Sequence, residues 1–233
     1  MPEKLKKEIR KKSNPEKAGI YRRFFKTGKG QYGEGDVFLG LTVPETRQIA
    51  RSYLHLNLKD LEKLLSDKVH EIRLAALMIL TENYRKAKDK KIVDFYLKNT
   101  KQINNWDLVD LSADKILGEF LLDNSRDRKV LYRLAKSRDL WEKRISIIST
   151  FAFIRKNDFK DTLKISEILL KDKHDLIHKA VGWMLREVGK RDVKVLESFL
   201  KKHYKEMPRT MLRYSIEKFP EEKRKKYLAG KVK

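Results

Sequence analysis

Near the middle of the chain, Asn104-Asn105-Trp106-Asp107-Leu108-Val109-Asp110 brings one indole and two carboxylates into what reads as the first turn of a helix. An asparagine at the N-cap accepts from unpaired backbone N–H groups, and the apolar residues that follow continue at helical spacing. Trp106 and Asp110 are then one turn apart on one face, which Asp107 and Asp114 make acidic. A carboxylate beside a π-face can stabilise a positive charge that develops between them. Acids near a helix start also complement its dipole, so the spacing alone leaves both roles open.

A second set lies on the last long helical stretch, where Lys179, Trp183, Arg186 and Lys190 fall on one face. Cations there suit phosphates, and an indole among them can stack on a base. The alternative is a core Trp183 with its basic neighbours reaching past it to water. Arg73, Asp110, Arg144 and Lys179 recur about 35 residues apart, the period of a two-helix repeat, each near the start of an apolar helix. Equivalent positions in such an array line one concave surface. Three are cations and the fourth is a carboxylate, which would repel the ligand the others attract and therefore needs a reason.

The chain has 56 Lys+Arg against 33 Asp+Glu, a formal net charge of +23, which points to a polyanionic partner, nucleic acid before a membrane surface. No cysteine is present, excluding disulfides, thiolate catalysis and cysteine-held metal centres. No run approaches the roughly 18 apolar residues of a membrane span, and Met1-Pro2-Glu3-Lys4 opens no signal peptide, so a soluble, cytoplasmic protein is expected.

These residues need helices to position them. After a basic helix or frayed arm within 1–14 and a helix from Pro15 to about Lys26, the pattern predicts helices at 44–55, 58–65, 69–86, 89–99, 105–122, 126–136, 139–155, 159–170, 174–190, 192–204, 208–217 and 220–228, with no alternating strands. The expected architecture is all-α, one domain over 1–233: a superhelical solenoid of HEAT-like antiparallel helix pairs with a concave basic groove. The loop 27–36 contains Gly28, Gly30 and Gly33 as G-x-G-x-x-G, but without a preceding strand it predicts a mobile segment near DNA, not a nucleotide site. His174 and His178 have the spacing of helical zinc ligands but no third partner, so neither a metal nor a small-molecule cofactor is expected.

Asn105-Trp-Asp-x-Val-Asp110, Trp141-Glu-Lys-Arg-Ile145, Lys179-Ala-Val-Gly-Trp-Met-Leu-Arg-Glu187 and Phe38-Leu-Gly-Leu followed by Val43-Pro44-Glu45 together resemble the AlkD-type DNA alkylation repair glycosylases over roughly residues 15 to 220. The resemblance implies HEAT-like repeats and a monofunctional glycosylase that excises N3- and N7-alkylated purines from double-stranded DNA without flipping the lesion into a pocket. It implies further that Asp110 is the catalytic carboxylate, that Trp106 and Trp183 flank the lesion with Arg144 beside them, and that Arg47, Arg186 and Lys190 hold phosphates. A monomer is expected.

Two features depart from that family. Loop 27–36 reads as an insertion, and Phe24 stands where a tyrosine occurs in a relative. Some relatives are thought to bind branched DNA without cleaving it, so a non-catalytic DNA-binding HEAT-like protein is the alternative function. A protein-interaction scaffold is a third, although a scaffold has no use for a carboxylate within a cationic row.

Overall fold

A computed structural model of the chain describes residues 1–232 and is built from helices. Among these residues the only β pairing is an isolated bridge between Val37 and Val69, and no helix is long and apolar enough to cross a membrane. In chain order the helices are α1 (Pro2–Lys11), α2 (Pro15–Phe24), α3 (Val43–Arg51), α4 (Leu58–Leu65), α5 (His70–Ala87), α6 (Lys90–Lys98), α7 (Trp106–Ala113), α8 (Glu119–Asp123), α9 (Lys129–Ala135), α10 (Leu140–Ser149), α11 (Phe151–Ile154), α12 (Lys160–Leu169), α13 (Asp175–Arg191), α14 (Val193–His203), α15 (Arg209–Ser215) and α16 (Glu221–Leu228). They form two compact units, Met1–Phe120 and Leu121–Lys233.

In the first unit α3, α5 and α7 pack side by side, while α1 and α4 lie against α5. The starts follow local chemistry. Thr42 and Glu45 close a capping box ahead of α3, with Pro44 in its first turn. Asn14 and Asn57 accept from the backbone N–H groups of Lys17 and Asp60. The basic N-terminus is a docked helix and not a frayed arm: Leu5 and Ile9 are fully buried, and Lys6 pairs with Asp67 at 3.0 Å. Burying those two side chains is worth about 2 kcal/mol each, enough to hold a helix whose other face is nearly all charge.

The helix expected over 105–122 is continuous but widens into one π turn at Asp114–Gly118. Ser112 Oγ, just before it, and Lys115 Nζ, within it, donate to the carbonyls of Leu108 and Leu111, engaging acceptors where the ladder changes register. The expected 139–155 helix divides at Thr150 into α10 and α11. There Ser149 and Thr150 hydroxyls donate to Ile145 and Ile147 carbonyls.

In the second unit α9 packs on α10, α12 on α13, and α10, α13 and α15 lie side by side. Gly182 is what lets α13 and α15 approach: a Cβ there would meet Tyr214 Cβ at 2.5 Å and the Met211 carbonyl at 2.6 Å. A polar cluster ties the outer helices, with Arg128 bonded to Asp158 and Asp161 and stacked 4.1 Å from the Phe153 ring.

Candidate functional site

The first turn of α7 is fixed from three directions. Asn105 is its N-cap: Oδ1 accepts from the Trp106 N–H at 2.9 Å, and Nδ2 donates to Asp36 Oδ2 at 3.3 Å. Asp107 accepts from the Leu108 N–H with one oxygen and bonds His70 Nε2 with the other at 2.7 Å. The far nitrogen of His70, Nδ1, lies 3.3 Å from Asp36 Oδ2, whose other oxygen accepts from Arg73 at 2.7 Å. An unbroken chain Arg73–Asp36–His70–Asp107 therefore runs from the end of loop 27–36, through the start of α5, to the start of α7.

The charges along that chain agree with its geometry. Burial alone would lower the proton affinity of His70, but the charge and hydrogen bond of Asp107 and the bond to Asp36 outweigh it and raise the imidazole to about 8. Asp36 moves the other way: burial would raise it, and His70 and Arg73 hold it below the usual carboxylate range. At neutral pH His70 is therefore an imidazolium lying between Asp36 and Asp107.

Aromatic rings repeat the same path. Phe38 stacks on His70 at 4.4 Å, Phe25 on Phe38 at 4.8 Å, and Trp106 on Phe25 at 5.1 Å, each within about 22° of parallel, and Phe24 meets the Trp106 ring edge-on at 5.8 Å. Trp106 is thus half-buried and held from behind. Loop 27–36, expected to be mobile, is a folded turn system that builds this wall. Gly33 donates to the Lys26 carbonyl at 3.1 Å, and Gly30 to Glu34 at 2.7 Å. A Cβ on Gly33 would lie 2.4 Å from the Phe25 carbonyl. On the other side of the site Glu71, buried, accepts from the N–H groups of Leu39, Gly40 and Leu41 and so pins Phe38 to α5.

Asp110 is half-exposed one turn beyond Trp106, and its charge together with that of Asp114 adds to burial in raising the Tyr96 hydroxyl above its usual range. In front of α7 a pocket of about 170 Å³ is bounded by Tyr21, Phe24, Phe25 and Phe38 on one side and by His70 and Asp107 on the other. Arg47, exposed on α3, borders a separate pocket of about 350 Å³ with Arg51 and Lys115.

The cationic row read from the repeat is corrected in two places. Arg73 is only 5% exposed and is committed to Asp36 and to the carbonyls of Asp67 and Lys68. Arg144, equally buried, donates to the Leu176 carbonyl at 2.6 Å. A desolvated guanidinium needs a partner inside the fold, so Arg73 ties α5 to Asp36 and Arg144 ties α10 to α13, and neither presents its charge to phosphate. In the second unit Trp183 is half-buried against Phe151, and its Nε1–H donates to Glu187 at 3.2 Å. Lys190 and Arg186 also reach Glu187, Arg186 bonds Glu217 too, and Lys179 pairs with Asp175. The face is as basic as the spacing suggested, but each cation already has a carboxylate. His174 caps α13 and His178 bonds the Asp172 carbonyl, so both serve the turn ahead of α13.

Four polar residues with a part in these sites escaped the sequence reading: Asp36, His70, Glu71 and Glu187. The signal for two of them was present in His70-Glu71-Ile72-Arg73, three ionisable groups packed into the start of an otherwise apolar helix.

The sequence profile of a family described as DNA alkylation repair enzyme matches residues 5–219. A structure described as a predicted DNA alkylation repair enzyme from Enterococcus faecalis superposes with a TM-score of 0.73 at 17% identity, covering 90% of this chain and 97% of that one. AlkD2 from Streptococcus mutans superposes at 0.57 with 18% identity over 89% and 99% of the two chains, and smu.31 from Streptococcus mutans UA159 at 0.57 with 20% identity over 76% and 92%. A comparison with curated proteins returns no match. Matched by the profile along nearly its whole length and sharing the fold of these structures, the chain belongs to the DNA alkylation repair enzyme family.

Proposed function

We propose that the protein is a monofunctional DNA glycosylase that removes positively charged N3- and N7-alkylated purines from double-stranded DNA. The observation that carries this reading is the start of α7, where an indole held by two phenylalanines and a half-exposed carboxylate stand one turn apart. Membership of a DNA alkylation repair enzyme family supports alkylated DNA as the target.

The chemistry needs little more. A cationic purine is already a good leaving group: the C1′–N bond breaks, its electron pair stays on the purine nitrogen, and the base departs neutral. The sugar is left as an oxocarbenium ion. The Asp110 carboxylate stabilises that cation and accepts a proton from the water whose oxygen adds to C1′, and the face of Trp106 contributes about 0.5–2 kcal/mol. Arg47, Lys179, Arg186 and Lys190 contact phosphates, the last three by exchanging protein carboxylates for phosphodiesters. Arg144 acts within the second unit as an anchor between α10 and α13.

Release of free base from methylated duplex DNA tests the reading. Wild type should release 7-methylguanine or 3-methyladenine, and Asp110→Asn should not do so at a comparable rate. A wild-type protein that binds DNA tightly and releases nothing would leave the non-catalytic binder in its place.

A further inference from the structure

We propose that His70 is a positioning residue for the site at the start of α7: in its protonated form it holds Trp106 and the first helical turn in place, and its deprotonation slows base release. The effect on base release rests on the glycosylase reading; the effect on Trp106 does not.

Two separate lines of contact run from this one imidazole to the same indole. Through hydrogen bonds, Nε2 reaches Asp107, the residue next to Trp106, at 2.7 Å, and Nδ1 reaches Asp36, which accepts from Nδ2 of Asn105, the N-cap of α7. Through rings, Phe38 lies on the imidazole at 4.4 Å, Phe25 on Phe38 at 4.8 Å and Trp106 on Phe25 at 5.1 Å. His70 itself is buried, so bulk water does not stand in for a bond it gives up.

The proton count decides how much of this is held. An imidazolium carries two N–H donors and serves both acids, whereas the neutral ring carries one. Asp107 is the second residue of α7 and Asp36 holds its cap, so whichever bond is lost, the first turn loses a tie. What remains at the broken bond is a carboxylate facing a ring lone pair in a largely enclosed site, an arrangement that favours movement over staying put.

The charged groups around His70 come from three elements: Asp36 from loop 27–36, Asp107 from α7, and Glu71 and Arg73 from its own helix. The α2 helix and the segment after the loop bring rings, Phe25 and Phe38, and the Tyr21 hydroxyl, which borders the same pocket, is raised by burial above its usual range. Burial lowers the proton affinity of His70; the charge of Asp107 does most to raise it, to about 8, and Arg73 opposes that rise. Asp107 is therefore the group through which the switch point can be moved.

The test follows single-turnover release of 7-methylguanine from duplex DNA by the full-length protein from about pH 6 to 9, well below its melting temperature, with the indole N–H resonance of Trp106 recorded by NMR over the same range. In wild type the maximal rate should fall about tenfold with a midpoint at about 8, a loss in keeping with a small misplacement of a reacting group, while half-saturation by DNA stays the same; the indole resonance should shift with that midpoint. His70→Gln, which carries no charge at any pH, should be slow throughout. Asp107→Asn should move both midpoints to lower pH, which a merely structural role for His70 would not do. An indole resonance indifferent to the titration of His70, or midpoints unmoved in folded Asp107→Asn, would overturn the proposal. If the resonance follows His70 but wild type releases no base at any pH, the positioning of Trp106 stands and the glycosylase reading falls. If base is released at a rate that ignores the titration of His70, the glycosylase reading stands and this proposal falls.

Discussion

His70 Nε2 lies 2.7 Å from Asp107 Oδ2, joining the first residue of α5 to the second residue of α7. Because the same imidazole also reaches Asp36, its protonated form bridges two carboxylates, and removing its proton leaves one hydrogen bond without a donor. His70 is raised from 6.5 to about 8 in the fold, so its stabilisation is fully present below its unfolded value and is lost as pH climbs through 8. About 2 kcal/mol is at stake at the usual 1.4 kcal/mol per unit. Urea unfolding at a series of pH values should show stability falling across that window in wild type and flat in His70→Gln, which should itself be less stable by about 3 kcal/mol for want of a partner to both acids. A pH-independent wild type would refute the bridge.

Asp110→Asn should melt near wild type and bind duplex DNA as well or better, since a charge that repels phosphate is gone. Base release should fall by about 10²–10³-fold, the loss that follows removal of one electrostatic stabiliser of a transition state. A structural cap would give the opposite pair: a cost of about 1 kcal/mol and an unchanged rate. Calorimetric melting and single-turnover excision on the same preparations distinguish the two.

Glu187 receives Trp183, Arg186 and Lys190, and on the proposed reading it competes with phosphate for the two cations. Glu187→Gln should therefore tighten DNA binding severalfold at low salt, measured by fluorescence anisotropy, with little dependence on sequence. Weaker binding would mean that the carboxylate orients these groups for DNA.

Arg47 on α3 and Arg73 on α5 should behave differently. Arg47→Ala, at an exposed position, should lower the slope of log K against log salt by about one unit and leave melting unchanged. Arg73→Ala deserts buried Asp36 and should cost about 3 kcal/mol, with the salt slope of the folded fraction unaltered.

Gly33→Ala drives a methyl group into the Phe25 carbonyl and should detach the loop from the end of α2. Loss of about 2 kcal/mol is expected, with a change in Trp106 fluorescence, because the ring behind the indole moves. A silent substitution would mean the loop does not support the wall.

Much of the fold is local in origin. The asparagine caps at 57 and 105, the prolines that open α2 and α3, and apolar spacing on α5, α7, α10 and α13 follow from neighbours within one or two turns, so the chain alone determines that helices form, where they begin and that Trp106 and Asp110 share a face. The net charge of +23 likewise needs no structure to suggest a polyanion. What periodicity could not settle is which polar groups are buried and with whom. Arg73 and Lys179 occupy matching repeat positions, yet one is locked onto an aspartate 37 residues earlier and the other remains at the surface, because desolvation penalises any buried charge whose partner is absent and the partner is chosen by tertiary packing. Asp36 reads in the sequence as the end of a glycine-rich loop; only when the loop folds against α2 and α5 does it become the hub between His70, Arg73 and Asn105. The aromatic pocket has the same origin, its rings drawn from segments that share no period and meet only through the burial of Phe25 and Phe38.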